Sequence, residues 1–111
     1  MINAAYPTHR RMSDMLASER PQERLERLGA AALSDRELLA MILRSGPKGV
    51  DVVTMSGQLL EAAGSLAGLL RWSAEDFMQV RGIGKVKALQ LLAVMDFAKR
   101  ILQQQDGGAA K

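Results

Sequence analysis

One stretch restricts the fold more than any other: Val80-Arg81-Gly82-Ile83-Gly84-Lys85-Val86-Lys87-Ala88. Two glycines flanking a single aliphatic residue break whatever precedes them. The cations and apolar residues that follow open a new helix, so the stretch reads as two helices bent around a tight turn. Each glycine can take backbone conformations closed to other residues, and neither carries a side chain that would keep a ligand off the main chain. The turn's N–H groups can therefore face outward. With Lys85 opening the second helix, the unpaired N–H donors and the positive end of its dipole point the same way, which suits a phosphate oxygen. Ile83 is the expected inward peg, and Ala88 the small residue that lets the helices approach.

The flanks fit this reading. A short capped helix is predicted from Ser73 to Val80, with Glu75 and Asp76 in the acid-favouring first turn and Phe77, Met78 and Val80 facing inward. A long helix is predicted from Lys85 to about Leu102. In that setting the pattern resembles the helix-hairpin-helix motif, which grips nucleic-acid backbone without reading bases. The competing reading is a turn in an ordinary helical hairpin, with its lysines solvated.

Composition says what can surround such a turn. At 111 residues the chain is long enough for one domain with a modest core. Hydrophobic residues make up 48% of it and aromatics only 4%, so the core must be Leu, Ala, Val and Met between helices. That predicts an all-α class. With no Cys there is no disulfide or thiolate site, and a reducing compartment is compatible. No run approaches the ~18 apolar residues of a membrane span, and the first residues lack a signal peptide's apolar centre, so a soluble cytoplasmic protein is expected. The net charge of +3 permits nucleic-acid binding without demanding it, because fifteen cations face twelve acids.

In chain order, residues 1–17 read as a flexible N-terminal arm in which His9-Arg10-Arg11 is a solvated basic run. Ser18 and Pro21 mark the entry to a short helix with Leu25 and Leu28 as its buried edge and Gly29 as its end. Ser34-Asp35-Arg36-Glu37 has capping-box spacing ahead of Leu38, Leu39, Ile42 and Leu43, which predicts a helix from about Asp35 to Arg44. After Arg44-Ser45-Gly46-Pro47-Lys48-Gly49, Asp51 can cap a helix that runs to Gly64. Its polar Ser56-Gly57 step puts its continuity in question. Ser65 caps a single turn carrying Leu66, Leu69 and Leu70, and Trp72 is a core or lid residue more readily than a stacking platform. The helix from Lys85 is apolar over much of its circumference, which predicts a central position in the bundle. Residues 103–111 read as a linker or loose tail.

The plan is repeated. Ser34 to Leu60 gives capped helix, glycine-bearing turn and helix; Ser73 to Leu102 gives the same again. The expected fold is thus a five-to-six-helix bundle over residues 18–102, containing a tandem helix-hairpin-helix pair with one degenerate member. In that member Pro47 and Lys48 replace the aliphatic peg, and Asp51 stands where a phosphate would meet repulsion.

Taken together, Arg20-Pro21-Gln22-Glu23-Arg24-Leu25, Leu28-Gly29-Ala30, Leu33-Ser34-Asp35-Arg36-Glu37-Leu38-Leu39-Ala40, Leu43-Arg44-Ser45-Gly46 and Gly82-Ile83-Gly84-Lys85-Val86-Lys87-Ala88 resemble the N-terminal domain of the RadC family (UPF0758), bacterial proteins labelled as DNA repair factors. Members of that family continue into a JAB/MPN-type domain resembling zinc metallopeptidases. The resemblance implies that this chain is an N-terminal piece without the metallopeptidase site, with residues 103–111 starting the linker. No metal, cofactor or enzyme activity is expected, since His9 is the only histidine and no Cys is present.

The expectation for function is a non-sequence-specific DNA-binding module. Arg81, Gly82, Ile83, Gly84, Lys85 and Lys87 form its main contact, and Arg44 and Lys48 add charge at the other turn. The alternative is a protein-interaction module that docks the absent C-terminal domain or a repair partner. A glycosylase-like role for Asp96 or Asp106 fails because no second lobe exists to hold a flipped base.

Overall fold

The computed structural model describes residues 20–46 and 49–109. Every regular element among them is helical: α1 Pro21–Leu28, α2 Asp35–Leu43, α3 Val52–Ala63, α4 Ala74–Met78 and α5 Lys85–Ala109, with short 3₁₀ helices at Ala30–Ala32 and Ala67–Arg71. The all-α class holds. The chain falls into two compact units, Met1–Leu59 and Leu60–Lys111, so the division lies inside α3. The N-terminal arm 1–17, Ser18, Pro47 and Lys48 lie outside the described residues.

In the first unit, Pro21 opens α1, where its missing N–H is not needed, and it is the buried residue of that helix. Leu28, expected on the buried edge, is 48% exposed. Polar contacts join α1 to its neighbours instead. The Arg24 Nε lies 2.8 Å from the Glu37 Oε2, and its Nη2 donates to the Ala32 carbonyl at 3.1 Å. The capping box is present in full: Ser34 Oγ accepts from the Glu37 N–H at 3.2 Å, and Glu37 Oε1 accepts from the Ser34 N–H at 2.9 Å. Glu37 is buried, and it tolerates that position because both carboxylate oxygens are engaged, one by a cation.

Leu39, Ala40 and Leu43 form the buried side of α2, and Val52, Val53, Met55 and Leu59 that of α3. The Ser56-Gly57 step leaves α3 continuous. Ser56 Oγ donates to the Val52 carbonyl one turn back at 2.8 Å, so its hydroxyl is satisfied inside the helix. A Cβ at Gly57 would run into the Arg36 guanidinium, which crosses α3 there.

In the second unit, Ser65 Oγ accepts from the Gly68 N–H at 3.0 Å and starts the 3₁₀ turn. That turn and α4 both pack on α5. Leu69, Phe77, Val80, Ile83, Ala88, Leu91 and Met95 are buried, and Trp72 meets Phe77 edge to face with ring centroids 5.1 Å apart. Truncating the fully buried Phe77 to Ala would cost about 3–5 kcal/mol. Helix α4 ends at Met78, short of Val80, because Val80 already serves the turn, and Met78 is exposed rather than inward.

Two expectations for α5 are corrected. It runs on to Ala109 instead of stopping near Leu102; Gln103, Gln104 and Gln105 are fair helix formers and keep the helical conformation in full exposure. Nor is it covered all round. Val86 (82%), Leu89, Phe97 (67%), Ile101 and Leu102 are all exposed, while Ala88, Leu91 and Met95 face α4 and the 3₁₀ turn. Apolar residues at every angle suggested a central helix, but in this unit only one side is covered. The repeat expected from the sequence holds for the capped helix starts; in packing the two differ, since α4 and α5 close on each other and α2 and α3 do not do so to a comparable extent.

Candidate functional site

The turn of the second unit is built by its flanking caps. Ser73 Oγ accepts from the Asp76 N–H at 3.2 Å and Asp76 Oδ2 accepts from the Ser73 N–H at 2.8 Å, which fixes the start of α4. At the far end the Ile83 N–H donates to the Val80 carbonyl at 3.0 Å, closing a β-turn with Arg81 and Gly82 at its centre. Gly82 has φ 93, the conformation that the third position of a type II turn demands and that a side chain would strain. Ile83 is 4% exposed and Ala88 is buried, so both occupy the anchoring positions expected of them. Ile83, counted with the contact residues from sequence, positions the turn and does not present itself to a ligand.

Gly84 precedes α5, and its carbonyl accepts from the Ala88 N–H at 2.9 Å, the first bond of the helix. Neither conformation nor packing requires glycine here. Its φ is not in the left-handed region, and an added Cβ would meet nothing within 4 Å. The amides of Gly84, Lys85 and Val86 have no acceptor among the described residues. They point out of an uncapped N-terminus of a 25-residue helix. Arg81 and Lys85 are exposed beside them, and Lys87 is half-buried. Val86, one of the apolar residues around the helix that the sequence puts at the centre of the bundle, stands on the same turn as the most exposed of the large apolar side chains described. No sequence signal separates it from its buried neighbours; only the packing does.

The turn of the first unit is different. Asp51 Oδ2 accepts from the Thr54 N–H at 2.9 Å and from Thr54 Oγ1 at 3.2 Å, so a carboxylate of the chain itself closes the N-terminus of α3. Gly46 lies against the Val50 backbone, where a Cβ would strike the carbonyl. Arg44 is exposed and has φ 69 and ψ −44, the one positive φ found at a non-glycine residue among those described. Across it the Ser45 N–H donates to the Leu43 carbonyl at 2.8 Å, which makes a γ-turn of the rarer, strained hand. Such a conformation costs on the order of 1–3 kcal/mol and is held only by its surroundings. Lys48, nominated with Arg44, is outside the described residues.

Trp72 is half-buried and lines a shallow hollow of about 380 Å³ with Leu70, Leu89 and Leu92, in keeping with a lid over Phe77. Asp96 is exposed and accepts from Arg100 Nε at 2.9 Å. Among the described residues no group of three or more His, Cys, Asp or Glu is placed to hold a metal ion, and no helix is long and apolar enough to cross a membrane.

The family described as UPF0758 N-terminal matches residues 12–89. A UPF0758 protein of Psychromonas ingrahamii is 49% identical over 94 residues, and one of Clostridium kluyveri is 41% identical over 97. One of Clostridium botulinum is 40% identical over 101. These matches cover 85%, 87% and 91% of the present chain and 42%, 42% and 44% of the relatives, so the chain spans less than half the length of the proteins it matches. No solved structure matches it.

Proposed function

Because this chain belongs to the UPF0758 family through its N-terminal domain, we propose that its second unit is a sequence-independent DNA-binding module serving DNA repair or recombination. One observation carries the proposal: three outward amides at the mouth of α5 sit behind a glycine that neither the backbone nor the packing requires. An oxyanion is the natural complement of such a mouth, since the donors and the helix dipole act on it together. A phosphate of the sugar-phosphate backbone would rest on the Gly84, Lys85 and Val86 amides, with Arg81, Lys85 and Lys87 supplying charge. Gly82 and Ile83 hold the turn in shape.

No group in this arrangement reads a base edge, so affinity comes chiefly from release of counterions. A single small module of this kind binds with a dissociation constant on the order of 10⁻⁴ to 10⁻⁶ M at physiological salt. Titration of a short labelled duplex at two salt concentrations tests the proposal. Binding that falls steeply with salt and ignores sequence is expected; binding indifferent to salt, or none at millimolar protein, would overturn it.

The exposed apolar side of α5 favours a second reading. Leu89, Phe97, Ile101 and Leu102 face solvent on the helix that leads out of the family domain, and the relatives are more than twice as long as the stretch matched. In that reading α5 docks the chain that follows it in those longer proteins, held close by direct connection. Phe97→Ser would then loosen the docking and leave DNA affinity unchanged, whereas bulky residues at Gly84 would do the reverse.

A further inference from the structure

The first unit holds a cavity of about 470 Å³ between the first turn of α1 and the last turn of α2, lined by Arg20, Pro21, Gln22, Glu23, Ala40, Met41 and Arg44. The duplex-binding proposal makes no use of it. Pro21 and Ala40 are buried at its apolar base, and Met41 is half-buried. Two guanidiniums border it against one carboxylate. Arg44 enters from the strained γ-turn, and its side chain has no carboxylate partner among the described residues. A glycine would relieve the strain at that position, so an arginine there calls for a reason outside the stability of the fold.

We propose that this cavity is a binding site for a phosphate monoester, with Arg44 as its clamp and Arg20 on its border. Planar guanidiniums match the oxygens of a phosphate in pairs, which a lysine cannot do. Ligand pockets run from roughly 300 to 1,000 Å³, so the volume takes a phosphate together with the sugar or small body that carries it. The Gln22 amide, at the exposed wall, serves the ester or hydroxyl oxygens. Glu23 sets an upper limit on affinity because its charge opposes the dianion, and Glu37 does not, being buried on Arg24 outside the lining. The phosphate has two sources, a free phosphorylated metabolite or the phosphorylated end of a nucleic-acid strand, which differ in what lies beyond the ester.

Backbone amide shifts of the 111-residue chain, followed during addition of inorganic phosphate, test the proposal. Saturable shifts centred on Arg20, Gln22, Glu23 and Arg44 are expected, separate from any at Gly84 to Val86. Arg44→Gly should keep the turn and weaken phosphate binding roughly tenfold by removing one bidentate partner. Arg44→Lys should rescue little of the loss. A terminally phosphorylated single strand that shifts the same amides more tightly than its hydroxyl-ended counterpart identifies a strand end; equal behaviour of the two strands alongside saturable phosphate binding identifies a free small molecule. The proposal is overturned if phosphate leaves the Arg20 to Arg44 amides unmoved, or if Arg44→Gly binds phosphate as well as the parent. Because these amides are read apart from those at Gly84, failure here leaves the duplex-binding proposal standing, and the converse also holds.

Discussion

The chain builds a capped helix, a turn and a second helix twice, and the two versions treat their polar groups in opposite ways. In the first, the two capping carboxylates are engaged internally: Glu37 is divided between the Ser34 amide and Arg24, and Asp51 closes the mouth of α3 through Thr54. In the second, the corresponding carboxylate, Asp76, is exposed on α4, and Gly84 leaves the mouth of α5 open. Asp51 and Gly84 occupy the same place, each giving the carbonyl that accepts the first bond of the following helix, from Met55 and Ala88. Exchanging a carboxymethyl side chain for a hydrogen atom at one position therefore leaves open a helix end that its counterpart closes.

The largest effect should expose the unequal depth of the two capping boxes. Glu37→Ala removes a cap and leaves Arg24 without its buried partner, which should cost about 2–3 kcal/mol because Arg24 retains some access to water. Asp76→Ala, on the surface, should cost about 1 kcal/mol. Urea unfolding at constant m compares them, and equal losses would mean that Glu37 contributes as a cap alone. Next in size is Gly84→Asp, which copies the first turn into the second. The fold accepts it, since space is open at that Cβ. The new carboxylate should cap α5 and repel phosphate, weakening duplex binding by about 2 kcal/mol, roughly thirtyfold, with stability unchanged or raised. Undiminished binding would show that DNA does not use that mouth.

Much of this was legible in the sequence, and the limits are physical. The RadC resemblance is borne out as UPF0758 membership, and all-α class, the Ser34 capping box, the capped start at Ser73, the Asp51 cap and the inward Ile83 were readable because each depends on residues within a few positions of one another. What escaped depends on distant partners. Glu37 reads as a cap, and only the fold brings Arg24 to its second oxygen. Gly57 reads as a weak point in α3, and only the fold sends Arg36 across it. Val86 and Phe97 are as apolar as Leu91 and Met95 on the same helix, and apolar residues stand at so many angles around it that periodicity could not say which would be covered. The γ-turn at Arg44 leaves no trace in residue type at all, since arginine is not a residue that such a turn selects.

Smaller effects discriminate within the open turn itself. Lys85→Ala should weaken duplex binding by about 1 kcal/mol and reduce the slope of log affinity against log salt by about one, because one phosphate neutralisation is lost. The smallest and most specific change is Gly84→Ala. Alanine narrows the unfolded ensemble but is a slightly poorer residue than glycine ahead of a helix, and these opposing terms should keep the stability change within about 0.5 kcal/mol. The same substitution at Gly82 is a different experiment. There φ 93 makes any side chain costly, by about 1–2 kcal/mol, and lost binding would be confounded with a distorted turn. At Gly84 the methyl group enters empty space, so whatever it disturbs must come from outside the chain. A fall in duplex affinity of about threefold with unchanged unfolding is the expected result, since a phosphate seated on the neighbouring amides has to pass within van der Waals reach of that carbon. If affinity does not move, the backbone of the turn is not in contact with DNA, and the lysines alone would have to account for any binding observed.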